Sequence, residues 1–227
     1  MEFAREELMI EDKINILKNK NILVLGLGGV GGYVVESLAR CGIGTISIVD
    51  YDVVDITNIN RQIIALNSTI GKKKTECFKE RLLDINKNIK VNVYDLFYNE
   101  QTKDVIFDNK IDYVIDCCDS LESKKIIIME CFRRNIPIIS CMGTGNKFHP
   151  EKFVITTLNK TQYDPLSKKM RYLFRDNKEI LKKVMVLYSS EKPLEYKGKI
   201  GSISYVPSVA GLMLTSYVIN NYLELDK

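Results

Sequence analysis

The sequence lacks the cysteine and hydrophobic patterns of secreted and membrane proteins. Its six cysteines stand at positions 41, 77, 117, 118, 131 and 141, none forms a C-x-x-C pair, and most lie inside apolar runs. This pattern is typical of reduced, buried thiols. The N-terminal segment MEFAREELMIEDK is charged and has no apolar core of the kind found in signal peptides. We therefore expect a cytoplasmic protein.

Flexible linkers, repeats and membrane spans are missing as well. Five prolines and thirteen glycines in 227 residues are too few for a disordered linker, and no segment repeats at a fixed period. The most apolar stretch, 205–223, includes Pro207 and several polar side chains, so we expect a buried helix and no association with a membrane. The length suits one large α/β domain.

Short apolar runs alternate with helical patterns through the first two thirds of the chain. Strands are predicted at 21–26, 45–50, 91–94, 112–117 and 136–140, and helices at 31–41, 71–86 and 121–135. This alternation predicts a doubly wound, mostly parallel Rossmann-like sheet. After Cys141 the pattern changes. The runs at 153–158, 184–189 and 202–206 predict a mixed or antiparallel extension, and 208–223 predicts a closing helix.

A glycine-rich turn follows the first predicted strand and opens a helix. Its glycines permit a tight turn and a close approach of phosphate to the backbone, and the helix N-terminus attracts negative charge; they are Gly26, Gly28, Gly29 and Gly31. Asp50 ends the next strand, where a carboxylate accepts hydrogen bonds from a ribose. These features predict an adenosine cofactor and suit a nicotinamide dehydrogenase equally well.

The residues that follow Asp50 favour a triphosphate over a dinucleotide. Asn58 and Arg61 belong to the run NINRQ, and Lys74 stands thirteen residues beyond Arg61 at a predicted helix start. Cations placed there would stabilise charge on a phosphorus under attack and on the departing pyrophosphate. A dehydrogenase has no need of them. We therefore predict ATP as the nucleotide, with Arg61 and Lys74 in catalytic roles.

Two acidic residues compete for a metal role at the end of the fourth predicted strand. In the run DCCD, Asp119 is placed to hold a Mg²⁺ ion that bridges phosphate oxygens. Asp116 is the alternative, or it caps the following helix. We prefer Asp119 as the metal ligand.

These motifs together resemble the adenylating superfamily, which contains the ubiquitin-activating enzymes and the bacterial adenylyltransferases of molybdopterin and thiamine biosynthesis. The motifs are GLGGVG, IVDYD, TNINRQ, GKKK and DCCDS. The resemblance implies that Asp50 binds ribose, that Asn58, Arg61 and Lys74 surround the phosphates, and that Asp119 engages the metal. The leading segment FAREELMI matches one whose arginine reaches the ATP of the neighbour in a homodimer. Arg5 is the matching residue and completes the expected catalytic set.

Further segments narrow the resemblance to the tRNA threonylcarbamoyladenosine dehydratase family. They are GTGNK, KTQYDPL, YSSEKP and SYVPSVAG, so the resemblance covers nearly the whole chain. It implies adenylation of the carboxylate of the threonylcarbamoyl group on a tRNA adenosine beside the anticodon, and then ring closure. We expect one adenylating domain over 1–227, with an N-terminal dimer segment at 1–20, an ATP-binding core at 21–145 and a substrate-facing extension at 146–227.

Other activities are left as alternatives. The first is activation of the C-terminal glycine of a ubiquitin-like sulfur carrier, but such enzymes usually carry C-x-x-C pairs for zinc. No cysteine follows Cys141, so a thioester step is not expected. A NAD(P)-dependent oxidoreductase and a non-catalytic nucleotide sensor fit the phosphate-handling residues less well. An unidentified protein partner stays open, and His149 is interpreted as incidental.

A basic segment at 166–183 carries seven cations against two anions, within a chain of net charge +4. The three- and four-residue spacing predicts one amphipathic helix with a cationic face. By pattern alone this is a solvated face. With the tRNA substrate that the resemblance implies, phosphate contact becomes the preferred role; the residues are Lys168, Arg171, Arg175, Lys178 and Lys182.

Overall fold

A sheet of seven strands forms the frame of the protein in a computed structural model that describes residues 3–194, 198 and 200–225. The strands are β1 (Asn21–Leu25), β2 (Thr45–Asp50), β3 (Lys90–Asp95), β4 (Tyr113–Asp116), β5 (Ile138–Cys141), β6 (Phe153–Thr157) and β7 (Met185–Ser189). The α-helices are α1 (Ala4–Ile10), α2 (Ile14–Lys18), α3 (Gly31–Arg40), α4 (Lys74–Ile85), α5 (Leu121–Arg134), α6 (Pro165–Leu173), α7 (Lys178–Lys183) and α8 (Tyr205–Leu223).

The strand order confirms the predicted doubly wound sheet. It runs β3-β2-β1-β4-β5-β7-β6, and every pair is parallel except β6 with β7. The chain moves outward from β1 to β3 and then returns to place β4 on the other side of β1, where Leu25 pairs with Asp116. In such sheets the ligand crevice lies at the carboxyl ends of the two strands where the order reverses. The ligand crevice is therefore expected at the carboxyl ends of β1 and β4.

Alternate side chains of β1 point into two separate hydrophobic cores. Ile22 and Val24 pack in the core that contains α3 and α8, whereas Leu23 and Leu25 pack in the core that contains α5 and α6. This is the period-two alternation of a strand that is covered on both faces. Because both faces of the strand are buried, every position from 22 to 25 is apolar, which explains the continuous apolar run in the sequence.

The closing helix α8 is packed tightly on α3, the helix that follows the glycine-rich turn. A Cβ atom on Gly211 would lie 2.5 Å from the carbonyl oxygen of Val30, so only glycine allows this approach. Thr215 Oγ1 also donates to the Val34 carbonyl at 3.5 Å. No helix within the described residues is long and apolar enough to cross a membrane.

The predicted mixed extension of the sheet is confirmed: the run 184–189 forms β7, which is parallel to β5 and antiparallel to the edge strand β6. Two other expectations for the second half of the chain are wrong. The run 202–206 is not a strand, because its last residues already belong to α8. There Pro207 sits in the first helical turn, where its missing N–H removes no intrahelical bond.

The second correction concerns the segment 166–183, which was predicted as one helix and forms two. α6 ends at Leu173, Phe174 is buried, and the Asn177 side chain accepts from Ile180 N at 3.0 Å to cap the start of α7. The cations therefore do not share one helical face. The boundaries proposed within the single domain remain a prediction, and its ends at 1, 2, 226 and 227 lie outside the described residues.

Candidate active site

The glycine-rich turn is folded so closely that side chains are excluded at two positions. Gly26 has a φ of +88°, and a Cβ atom there would lie 2.9 Å from the backbone nitrogen of Cys118. A Cβ atom on Gly31 would lie 1.8 Å from the Gly26 carbonyl oxygen. Glycine is the residue that permits such contacts. The turn therefore lies directly against the loop that follows β4, at the position where the strand order reverses.

Asp50, at the end of β2, holds this turn as well as facing the crevice. Its Oδ2 accepts from Leu27 N at 2.6 Å, and its Oδ1 accepts from Asp52 N at 2.8 Å. Burial raises the pKa of the Asp50 carboxyl, in spite of the nearby Lys74 cation and the two backbone donors. The sequence predicted that Asp50 binds a ribose. In the structure both of its carboxylate oxygens also accept backbone hydrogen bonds, which position the glycine-rich turn and Asp52.

The predicted phosphate-handling residues come together in one cavity of about 560 Å³. Asn58, Arg61 and Lys74 line it with Asp50 and three residues of the glycine-rich turn, Gly26, Gly28 and Gly29. Their assigned roles remain predictions, but their convergence from four separate chain segments agrees with them.

The two cations of this cavity are held differently. Lys74 is buried, and its Nζ is 2.8 Å from Asp52 Oδ2. Arg61 donates through Nη1 to the Thr57 carbonyl and to Asn60 Oδ1, each at 2.9 Å, and no carboxylate within the described residues pairs with it. Arg61 is therefore fixed by neutral acceptors with its full charge uncompensated. That arrangement suits an anionic ligand.

Asp116 and Asp119 have opposite environments. Asp116 is fully buried; its Oδ2 lies 2.9 Å from Lys124 Nζ, and its Oδ1 accepts from Cys118 N at 3.1 Å. Asp119 is exposed and lines the same cavity as Arg61 and Lys74. The carboxylate of Asp116 is engaged in an internal ion pair. The choice of Asp119 as the metal ligand stays a prediction, and its exposure in the cavity agrees with it.

Other cavity residues were not assigned from the sequence. Asp52 was part of a quoted motif, but its bond to Lys74 depends on the fold. Gln62 is buried, lines the cavity, and its Oε1 has no hydrogen-bond partner within the described residues. Tyr51 and Phe97 form an edge-to-face pair, with ring centroids 4.9 Å apart, on the cavity lining. An unsatisfied acceptor and an aromatic rim suit a bound nucleoside.

A second cavity, of about 1450 Å³, adjoins the first. The two share a wall that includes Arg61, Asp119, Cys117 and Cys118. Burial raises the pKa of both thiols well above the ordinary cysteine value, so neither is a ready nucleophile at neutral pH. The shared wall places a cation and a carboxylate between the two chambers.

Two lining residues of the second cavity form an internal ion pair. Lys147 Nζ lies 3.0 Å from Asp164 Oδ2, both side chains are buried, and Lys147 also donates to the Gly143 carbonyl. Asp164 in turn caps α6 by accepting from Ser167 N at 2.7 Å. The pair ties the loop after β5 to the start of α6 and so fixes the shape of the chamber.

The remaining predicted residues lie away from the shared wall. Arg5 is exposed on α1 and, within the described part of the chain, lines neither cavity. His149 is exposed, with Nδ1 2.9 Å from Glu151 Oε1, in agreement with an incidental role. Arg171 is half-buried and donates to the Thr161 carbonyl at 2.9 Å and to Thr161 Oγ1. The exposed members of the cationic set are Lys168, Arg175, Lys178 and Lys182.

Comparison with known proteins agrees with this geometry. The family described as the ThiF family matches residues 4–223. A tRNA threonylcarbamoyladenosine dehydratase of Bacillus subtilis is 41% identical over 98% of this chain and 95% of its own length. The Escherichia coli tRNA N6-threonylcarbamoyladenosine dehydratase, solved in complex with ATP, superposes with a TM-score of 0.92 at 32% identity, covering 99% of this chain and 94% of that one. An adenylyltransferase and sulfurtransferase of Vanderwaltozyma polyspora is 33% identical over 64% of this chain and 35% of its own length.

Proposed function

Because the chain belongs to the ThiF family, we propose that it is an ATP-dependent tRNA threonylcarbamoyladenosine dehydratase. It activates the carboxylate of threonylcarbamoyladenosine in tRNA by adenylation, and the activated group then closes into a ring. One observation carries the proposal: two cavities share a wall that presents Arg61 and Asp119 to both. The first cavity, of about 560 Å³, suits the nucleotide and is called the nucleotide cavity below. The second, of about 1450 Å³, suits the acyl substrate and is called the acyl chamber.

The chemistry explains why two adjoining chambers are needed. A carboxylate is a poor electrophile, since oxide would have to leave. Its attack on the α-phosphorus of ATP, a co-substrate here, releases pyrophosphate and makes AMP the leaving group. A nitrogen or oxygen of the same substrate then displaces AMP, and an intramolecular attack has a high effective molarity. No protein thiol takes part, which agrees with the raised pKa values of Cys117 and Cys118.

Named residues supply binding and charge. Asp50 accepts hydrogen bonds from the ribose, and Asn58 lies beside the phosphates. Arg61 and Lys74 stabilise the negative charge that develops on the α-phosphoryl oxygens and on pyrophosphate. Lys74 is already held by Asp52, so its ammonium group is positioned before the nucleotide enters.

A Mg²⁺ requirement also belongs to this proposal. No group of three or more acidic, histidine or cysteine side chains within the described residues could hold a metal ion. Magnesium in nucleotide sites is commonly held by one or two carboxylates together with phosphate oxygens. The exposed carboxylate of Asp119 on the cavity lining fits that arrangement. When bound, the ion would neutralise phosphate charge.

The proposal also covers assembly, tRNA contact and location. Leu8 and Met9, near Arg5 on α1, are each 84% exposed, which supports a homodimer in which Arg5 reaches the partner's nucleotide. The exposed cations Lys168, Arg175, Lys178 and Lys182 would contact tRNA phosphates. The unpaired cysteines support a cytoplasmic location. An additional protein partner is compatible with this scheme.

The test is mass spectrometry of tRNA nucleosides after incubation of the protein with threonylcarbamoyladenosine-containing tRNA, ATP and Mg²⁺. We expect the modified nucleoside to lose the mass of one water, with AMP formed. The Asp119→Ala protein and a reaction without ATP serve as controls. Unchanged nucleosides, together with ATP–pyrophosphate exchange that requires a ubiquitin-like carrier protein, would support the alternative adenylyltransferase.

A further inference from the structure

Tyr163 has a backbone conformation that bulky residues rarely adopt. Its φ is +58°, and Asp164 N donates to the Gln162 carbonyl at 2.6 Å, which closes a γ-turn around Tyr163. A γ-turn with positive φ is rare and strained, and glycine, asparagine or aspartate would relieve the strain. Tyrosine therefore stands where local stability alone would select another residue.

Four other non-glycine residues among those described have positive φ. Asn135 and Glu224 are left-handed caps at helix ends, Glu11 follows the end of α1, and Asn146 is an asparagine in a loop. Tyr163 is the aromatic exception. Backbone strain of this kind persists where the surrounding structure enforces it, and it is concentrated at binding sites.

The residues on either side enforce the turn without help from the ring. Thr161 is buried and accepts from Arg171, which explains why that arginine is turned inward. Asp164 is buried, caps α6 and pairs with Lys147 at 3.0 Å. Tyr163 is 58% exposed as a residue, and its hydroxyl has no hydrogen bond to any described residue. The turn presents the ring, and the ring does not hold the turn.

The ring lines the second cavity beside a cation. Tyr163 and Lys192 both contribute to the lining, and Lys192 Nζ lies 5.2 Å from the ring centroid. Proteins bind unstacked bases of RNA loops on exposed aromatic faces, with cations nearby for the backbone. We propose that Tyr163 is a stacking platform for a nucleobase of the substrate tRNA at the mouth of the acyl chamber. This inference rests on the proposed function, and it adds a specificity determinant outside the nucleotide cavity.

Tyr172 provides a matched control. It lies on α6, is 66% exposed and has Arg175 over its ring at 4.3 Å, yet it does not line either cavity. The two tyrosines therefore share exposure and a neighbouring cation, and they differ in position relative to the chamber. If the removal of any exposed tyrosine beside a cation impaired the protein, substitution of Tyr163 and of Tyr172 would have the same effect.

The kinetic experiment compares Tyr163→Ala, Tyr163→Phe, Tyr163→Gly and Tyr172→Ala. Loss of one stacked base should raise the KM for tRNA by roughly 5- to 150-fold in Tyr163→Ala, with the KM for ATP unchanged. Tyr163→Phe keeps the aromatic face and should stay within about twofold. Tyr163→Gly should show the same KM defect while its melting temperature equals or exceeds that of the wild type, because the strain is relieved. Tyr172→Ala should change the KM for tRNA far less than Tyr163→Ala, because it removes no residue of the second cavity and keeps Arg175, a proposed phosphate contact, in the chain.

A direct binding measurement separates this inference from the proposed function. The probe is an anticodon stem-loop RNA with 2-aminopurine at the substrate position or at one of its neighbours, whose fluorescence is quenched by stacking. Quenching that is lost in Tyr163→Ala and kept in Tyr163→Phe supports the platform and identifies the base, even for a protein that converts no nucleoside. Equal KM and quenching in Tyr163→Ala and Tyr172→Ala would overturn the platform, as would a Tyr163→Phe protein as defective as Tyr163→Ala.

Discussion

Replacing Lys124 with Met should strongly destabilise the fold. Lys124 is fully buried, and its Nζ donates to Asp116 Oδ2 at 2.9 Å, to Ser140 Oγ at 3.3 Å and to the Cys141 carbonyl at 2.7 Å. Burial opposes the charged form, but the attraction of Asp116 outweighs it and the pKa of Lys124 is raised. Met fills a similar volume and leaves the Asp116 carboxylate charged without its partner. Breaking one side of such a pair costs about 3–5 kcal/mol.

A double substitution separates charge from packing. In the Lys124→Met/Asp116→Asn protein no charge is left unpaired, and the Asn oxygen can still accept from Cys118 N. We expect this double substitution to destabilise the protein by about 1–3 kcal/mol less than the sum of its two single substitutions, a coupling typical of residues in direct contact. Lys125 is exposed on the same helix, so Lys125→Met is the matched control and should change stability by less than about 0.5 kcal/mol.

Urea unfolding at neutral pH measures the stability of the wild type, of these three variants and of the Asp116→Asn single variant. The comparison is valid if the slope of free energy against urea concentration is the same in all of them. A Lys124→Met loss no larger than that of Lys125→Met would refute the reasoning. A double mutant destabilised by the sum of its single substitutions would refute the charge argument in particular. Because Asp116 also holds the loop that presents Asp119, ATP affinity should fall in Lys124→Met and stay unchanged in Lys125→Met.

Four further predictions concern the site and its surroundings. Asp119→Ala should keep the fold and lose roughly 100-fold or more in turnover, as expected for a metal-positioning carboxylate; near-normal product formation would move the metal elsewhere. Mixing Arg5→Ala with Asp119→Ala proteins should restore part of the activity through hybrid dimers, and a mixture that stays inactive despite subunit exchange would exclude donation across the dimer. Burial opposes ionisation of the Glu36 carboxyl, but Arg81 and Arg40 outweigh burial and lower its pKa. Ionised Glu36 therefore stabilises the fold fully at pH values above its pKa in the unfolded chain, and this stabilisation is lost as the pH falls through its pKa in the folded protein. Glu36→Gln should flatten the acid side of a plot of stability against pH, and an unchanged plot would contradict this. A variant that lacks the exposed cations Lys168, Lys178 and Lys182 should bind tRNA with a weaker salt dependence. If each of them contacts a phosphate, the slope of log affinity against log salt concentration should fall in magnitude by about three units. An unchanged slope would show that these side chains only face solvent.

The sequence was most informative for the parallel sheet and for the residues at its carboxyl edge. Buried parallel strands are continuous apolar runs, and their ends carry glycine or aspartate, so the turn after β1 and Asp50 were both placed correctly. Order along the chain then determined that Arg61, Lys74 and Asp119 would face one crevice. These are local signals combined with a general rule of doubly wound sheets.

Tertiary contacts explain what the sequence left unpredicted. Charge spacing continued through 174–177 as if in one helix, but Phe174 is drawn into the core and Asn177 starts a new helix. Asn before a helical run is a recognisable cap signal, which would have located the break. The bond from Lys74 to Asp52 joins residues 22 positions apart and has no local signature. The inward turn of Arg171 likewise depends on Thr161, a contact between α6 and the loop before it.

The packing of α8 on α3 links the nucleotide site to the C-terminal helix. Thr215 bonds to a carbonyl 181 residues earlier in the chain, and a Cβ atom on Gly29 would lie 3.3 Å from the ring of Pro207, in the first turn of α8. Undocking of α8 would therefore open the glycine-rich turn to solvent. A ligand that binds only the docked form opposes that opening, by about 2.7 kcal/mol at a hundredfold excess over its dissociation constant. Amide hydrogens throughout α8 should then exchange more slowly when ATP is bound, so a helix that touches the nucleotide cavity only at its first turn reports on occupancy along its whole length.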